Sequence, residues 1–182
     1  MKSIKLYVFL ISVFLLYTGC NYSRQFGQKT ICAQTLGKIA VLPFRNYSDN
    51  PCASLALTEL FYTELCACEK FTVVPLHKVM DKIDDDYSDS CGSGELKKIA
   101  SNVGADTVVL ASVLEYRYKK GFRQRPVVGV NVRLICAKNG EVLWSQSVTR
   151  EEFQFMFYKG SLSFVSQKIC RQIVNKLTKY VR

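Results

Sequence analysis

Histidine is almost missing from this chain of 182 residues: His77 is the only one. One imidazole cannot build a multi-histidine metal centre, and any His-assisted nucleophile would have to form around that single position. No Cys/His signature surrounds His77, so a surface place is expected for it rather than a base beside Cys52 or Cys91. Proline is also scarce, with 4 residues, and glycine stands at 10, while 48% of the chain is apolar. That balance excludes low-complexity and disordered architectures and allows a proper core. Gly-x-Ser-x-Gly, phosphate-loop and dinucleotide fingerprints are absent. The acidic run Asp81, Asp84, Asp85, Asp86 and Asp89 lacks the glycine and closing glutamate of a calcium loop. No catalytic residue, metal or cofactor is therefore expected.

Acid is in short supply too, 15 Asp and Glu against 25 Lys and Arg, which leaves a net charge of +10. Such a balance points to an anionic partner, so the location of the charge matters. Lys2 and Lys5 precede residues 6–17, apolar apart from Ser12, and Thr18-Gly19-Cys20 follows. A basic start, a short apolar run and a small residue before the cut describe an export signal. The run falls short of the roughly 20 apolar residues that span a bilayer. Thr-Gly-Cys resembles the bacterial lipobox, although Tyr17 stands where an aliphatic residue is usual. Residues 1–19 are thus expected to be a lipoprotein signal, Cys20 the lipidated first residue, 20–37 a polar linker and 38–182 a single periplasmic domain. Removal of Lys2 and Lys5 takes the charge to +8, and on an exported protein nucleic acid becomes a poor candidate for the partner. Asn21 in place of Asp points to the outer membrane under the sorting rule of many Gram-negative bacteria.

Cysteine is plentiful: Cys20, Cys32, Cys52, Cys66, Cys68, Cys91, Cys136 and Cys170. Cys66, Cys68, Cys136 and Cys170 lie in apolar stretches and are expected to act as small core hydrophobes, with disulfides left open in an oxidising compartment. The one-residue gap of Cys66-Ala67-Cys68 argues against zinc.

Residues 38–44 (KIAVLPF) read as a buried strand and 71–75 (FTVVP) as a second strand. Asn50-Pro51 is read as N-cap and N1 of a helix with an apolar stripe at Leu57, Leu60, Phe61, Leu65 and Cys68. Short helices are expected over 77–83 and 95–102. Alternation then takes over in 106–118, 126–137 and 141–150, where Val128, Val130, Val132, Leu134 and Cys136 share one face and Asn131 and Arg133 the other. A last helix over 161–180 repeats Val165, Ile169, Ile173 and Leu177. The expected class is α+β, a mixed sheet with an antiparallel meander in the C-terminal half and helices mainly on one face.

Two stretches are candidate contact sites. The hairpin tip at 116–125 interleaves Arg117, Lys119, Lys120, Arg123 and Arg125 with Tyr116, Tyr118 and Phe122. Stacking rings with basic charge suit single strands of nucleic acid, but on an exported chain they suit anionic headgroups, an acidic polymer or plain solvent better. The second, Phe153, Phe155 and Phe157, alternates with Met156 and Tyr158, as a closing strand or as an apolar patch for a subunit or a membrane.

Four blocks occur in order: 39–48 (IAVLPFRNYS), 71–75 (FTVVP), 104–113 (GADTVVLASV) and 134–144 (LICAKNGEVLW). Together they resemble the bacterial envelope family that includes the lipoproteins CsgG, LpoB and PelC and the N-terminal domain of TolB, over residues 38 to 150. The resemblance implies a non-enzymatic lipoprotein that assembles into homo-oligomers or docks on envelope machinery, as an export accessory or as a monomeric LpoB-like activator of a cell-wall enzyme.

Overall fold

A computed structural model of the chain describes residues 21–27, 36–83, 93–120, 124–152 and 160–181. Cys20, Arg123, Phe153, Phe155 and Phe157 lie outside the described residues, as do Cys32, Cys91, Met156 and Tyr158.

The alternating valines of the C-terminal half make the centre of the fold. Strands β5 (Thr107–Lys119), β6 (Arg125–Cys136) and β7 (Val142–Glu151) form the expected antiparallel meander. The 7-stranded sheet is completed by β1 (Asn21–Gly27), β2 (Lys38–Val41), β3 (Arg45–Asn46) and β4 (Thr72–Val73), in the order β1-β7-β6-β5-β2-β4 with β3 also on β5. Strands β2 and β3 run parallel to β5, which makes the sheet mixed. The turn after β6 contains Gly140 at φ +75°, a left-handed position that suits the Asn139-Gly140 pair. One bulge interrupts β5 between Val113 and Glu115. The inward parity moves from Val109, Ala111 and Val113 to Tyr116, and Leu114 turns outward.

Two long helices, α1 (Ala53–Ala67) and α4 (Leu162–Tyr180), cover one face of the sheet. Leu57, Phe61 and Leu65 of α1 meet Val165, Ile169, Ile173 and Leu177 of α4 over the inward valines of β6 and over Trp144. Each such side chain fully withdrawn from water contributes about 1.5–3 kcal/mol. Ser161 caps α4, its Oγ accepting the Phe164 N–H at 3.2 Å. Two short helices, α2 (Leu76–Met80) and α3 (Ser93–Val103), sit on the other face. They bury Val79, Leu96, Ile99 and Ala100 against Ala40, Leu42, Val108, Leu110 and Ile135. Gly104, at φ +69°, ends α3 in a left-handed position that suits glycine.

The structure departs from expectation in three places. Residues 21–27 are not linker but the edge strand β1, paired antiparallel with β7 from Asn21↔Arg150 to Gly27↔Trp144. Its middle side chains stay exposed, Phe26 at 60%, so backbone ladder bonds rather than burial hold it. Helix α1 begins at Ala53, two residues after Pro51, with Cys52 at its N-cap; Asn50 closes the turn that leads into it, its Oδ1 accepting the Cys52 N–H at 3.0 Å and its carbonyl the Ala53 N–H at 3.1 Å. Of the four cysteines read as core, only Cys170 is fully buried; Cys68 and Cys136 are half-buried, and Cys66 is exposed because it lies off the apolar stripe of α1.

Candidate interaction site

Strand register brings together features that are far apart in sequence. Asn21 pairs with Arg150, Arg150 with Val128, and Val128 with Tyr116. The start of β1, which follows Cys20 directly, therefore lies at the end of the sheet that carries the β5–β6 hairpin tip. Glu151 and Glu152, from which the chain enters residues 153–159, lie at the same end.

The tip is less positive than its composition suggests. Glu151 receives both Arg125 at 2.5 Å and Lys119 at 3.3 Å, and Arg117 pairs with Glu115 at 3.2 Å. Three basic residues thus contact two carboxylates, and exposed Lys120, just past the end of β5, brings the described basic residues of the tip to four. Surface pairs of this kind contribute little to stability, but they halve the local charge.

A second basic surface, missed by the sequence reading, runs along the outer face of α4. Arg150, Lys168, Arg171, Gln172, Lys176 and Lys179 line a shallow groove of about 600 Å³, with Phe164 at one side. Lys168 is held by Glu152 at 2.6 Å and stands 4.2 Å above the Phe164 ring. Arg171 takes Glu64 of α1 in a two-pronged bond at 3.1 and 3.2 Å, and that carboxylate pushes its guanidinium still higher in pKa. Lys176 Nζ donates to Ser23 Oγ of β1 at 3.1 Å. The signal available in the sequence was a stretch with no acid: residues 153–182 hold six Lys and Arg and neither Asp nor Glu.

Among the described residues no group of three or more His, Cys, Asp or Glu is placed to hold a metal, and His77 is exposed on α2. Burial first, and then the charge of Glu64, pushes the Cys170 thiol up to about 12. Two consequences are measurable. Iodoacetamide at pH 8 is expected to label exposed Cys52 and Cys66 in the native protein and Cys170 only after unfolding, read by peptide mass. The folded thiol is raised above its unfolded value, so its contribution to stability is complete below about pH 9 and declines as pH climbs toward 12. A Cys170→Ala variant should lose that part of the alkaline dependence, seen as a smaller fall in urea midpoint across this window.

Among the described residues no helix is long and apolar enough to cross a membrane. No family profile and no curated protein matches the chain in sequence. Solved structures do match its fold. A PelC dodecamer from Paraburkholderia phytofirmans superimposes with TM-score 0.66 at 25% identity, covering 87% of this chain and 98% of the PelC chain. Lipoprotein GNA1162 from Neisseria meningitidis gives 0.58 at 20% over 79% and 99%. The LpoB C-terminal domain from Escherichia coli gives 0.50 at 22% over 65% and 85%. The last two bear on fold alone, and all three agree with the mixed-sheet α+β class read from the sequence.

Proposed function

We propose that the protein is a lipid-anchored accessory of the bacterial cell envelope, non-enzymatic, that works as a homo-oligomer in export or assembly at the periplasmic face of the outer membrane. The observation that carries the reading is the likeness to PelC: almost the whole PelC subunit, in a protein that crystallised as a dodecamer, is matched by this chain. The topology supports it. An acyl group on Cys20 would tether the start of β1, and with it the end of the sheet bearing the hairpin tip, to the bilayer. Lys120, Arg117 and Arg123 would then face anionic headgroups, each basic residue near such a surface contributing about 1 kcal/mol. Phe153, Phe155 and Phe157, whose alternation makes an apolar face in the sequence, would serve as subunit contact.

The test is the particle mass of the detergent-extracted protein by light scattering. A defined multimer is expected, and the variant Phe153→Ser/Phe155→Ser/Phe157→Ser is expected to shift it to monomer. A monomer at every concentration for the unaltered chain sinks the oligomeric reading. It would favour instead the adaptor or activator role of an LpoB-like protein, for which crosslinking to a cell-wall synthase is the decisive observation.

A further inference from the structure

We infer that the outer face of α4 is a binding groove for an extended acidic polysaccharide. The inference depends on neither the lipid anchor nor the oligomer. It starts from charge: the last thirty residues carry six of the chain's basic side chains without one acid. Lys168, Arg171, Lys176 and Lys179 recur at steps of three and five along a single helix, and from Lys168 to Lys179 the row runs about 16 Å along the axis. Like charges spaced this closely on a helix repel one another, and an anion laid along them removes that repulsion.

The side chains are held ready for a ligand. Glu152 fixes Lys168, Glu64 fixes Arg171 through Nε and Nη2, and Ser23 fixes Lys176. An ammonium has three donors and a guanidinium five, so each keeps N–H groups for an incoming carboxylate, and little rotamer entropy is lost when it binds. Two carboxylates offset two of the cations, and the groove retains an excess of positive charge.

Shape and composition select the ligand class. The groove is shallow but elongated along α4, so an extended chain can lie along it and meet several cations at once. Gln167, Gln172 and Asn175 line it beside the cations, and their amides both donate and accept, as hydroxyl-rich sugars require. A single-stranded nucleic acid would need open rings on which to stack; Phe164, the ring among the described residues that line the groove, already carries Lys168.

Oligogalacturonate is the probe, with neutral dextran and vesicles of phosphatidylcholine containing phosphatidylglycerol as the other arms, each titrated against the full-length mature protein. Saturable oligogalacturonate binding is expected, weakened by added salt, insensitive to dextran, and about tenfold weaker in Lys176→Gln/Lys179→Gln. Lys119→Gln/Lys120→Gln at the hairpin should leave it unchanged. Gln172→Lys, which adds a charge at an already partly exposed position, should tighten it severalfold. Full binding by the α4 variant, displacement by dextran, no binding of oligogalacturonate at all, or dependence of vesicle binding on the α4 lysines would each overturn the inference.

Discussion

Changing Cys20 to Ser is expected to leave the protein with no acyl chain, and no other single substitution should alter its behaviour as much. The unaltered protein, extracted from membranes, should have the mass of residues 20–182 plus the added lipid. Cys20→Ser should show none of that added mass, whether the signal remains attached or is cut elsewhere. A single acyl chain binds a membrane only reversibly, with an association constant of about 10⁴ M⁻¹, whereas two or more make release negligible. An alkaline wash of the membranes should therefore leave the wild-type chain in the pellet. Tyr17 is the residue that puts the lipobox to the test, since it occupies the place of an aliphatic side chain. A native chain that begins at any residue other than 20, without lipid mass, would remove the anchor from the proposed function. It would leave the oligomer and the α4 groove standing.

How far the sequence reveals this molecule depends on what stabilises each part. Val128, Val130, Val132 and Leu134 announce a strand because burial on one face imposes the alternation, and all four are in the core. Val165, Ile169, Ile173 and Leu177 announce α4 for the same reason. Strand β1 could not be read in this way. Ser23, Arg24, Gln25 and Phe26 are exposed, so the strand exists through its ladder with β7 and leaves no hydrophobic period. The start of α1 lies two residues later than Asn50-Pro51 suggests, because these residues form a turn that leads into the helix and Cys52, which offers no capping oxygen, takes the N-cap. Of the candidate sites, the hairpin tip was legible as a run of charge, but the partners of Arg125 and Lys119 come from Glu151, far along the chain. The α4 groove stayed hidden because its cations are spread along one helix and joined by Arg150 from a strand.

Replacing Gly37 with Ala is expected to lower stability by about 3 kcal/mol, through two separable effects. Gly37 sits at φ +55°, just before β2, where an L side chain costs about 1–2 kcal/mol. An added Cβ would also overlap the Asp106 carboxylate, with Asp106 Cγ at 2.5 Å and Cβ at 2.7 Å. That carboxylate accepts the Lys38 N–H at 2.8 Å, while the Asp106 N–H donates to the Lys38 carbonyl at 2.9 Å and the Asp106 carbonyl accepts the Ala137 N–H at 2.9 Å. One residue thus joins the beginnings of β2 and β5 to the end of β6. Pushing its side chain aside removes a bond to a charged acceptor, a loss of about 1.5–3 kcal/mol. For a domain of this size the whole effect is a fall in melting temperature of roughly 6–12 °C. A double-mutant cycle divides the two terms. In an Asp106→Gly background, which also removes the Cβ that an alanine would leave at 2.7 Å, the overlap with the side chain is gone, so Gly37→Ala should then cost only the backbone part, about 1–2 kcal/mol. Equal costs in both backgrounds would show that the carboxylate is not what Gly37 makes room for, and that the backbone conformation alone demands glycine here.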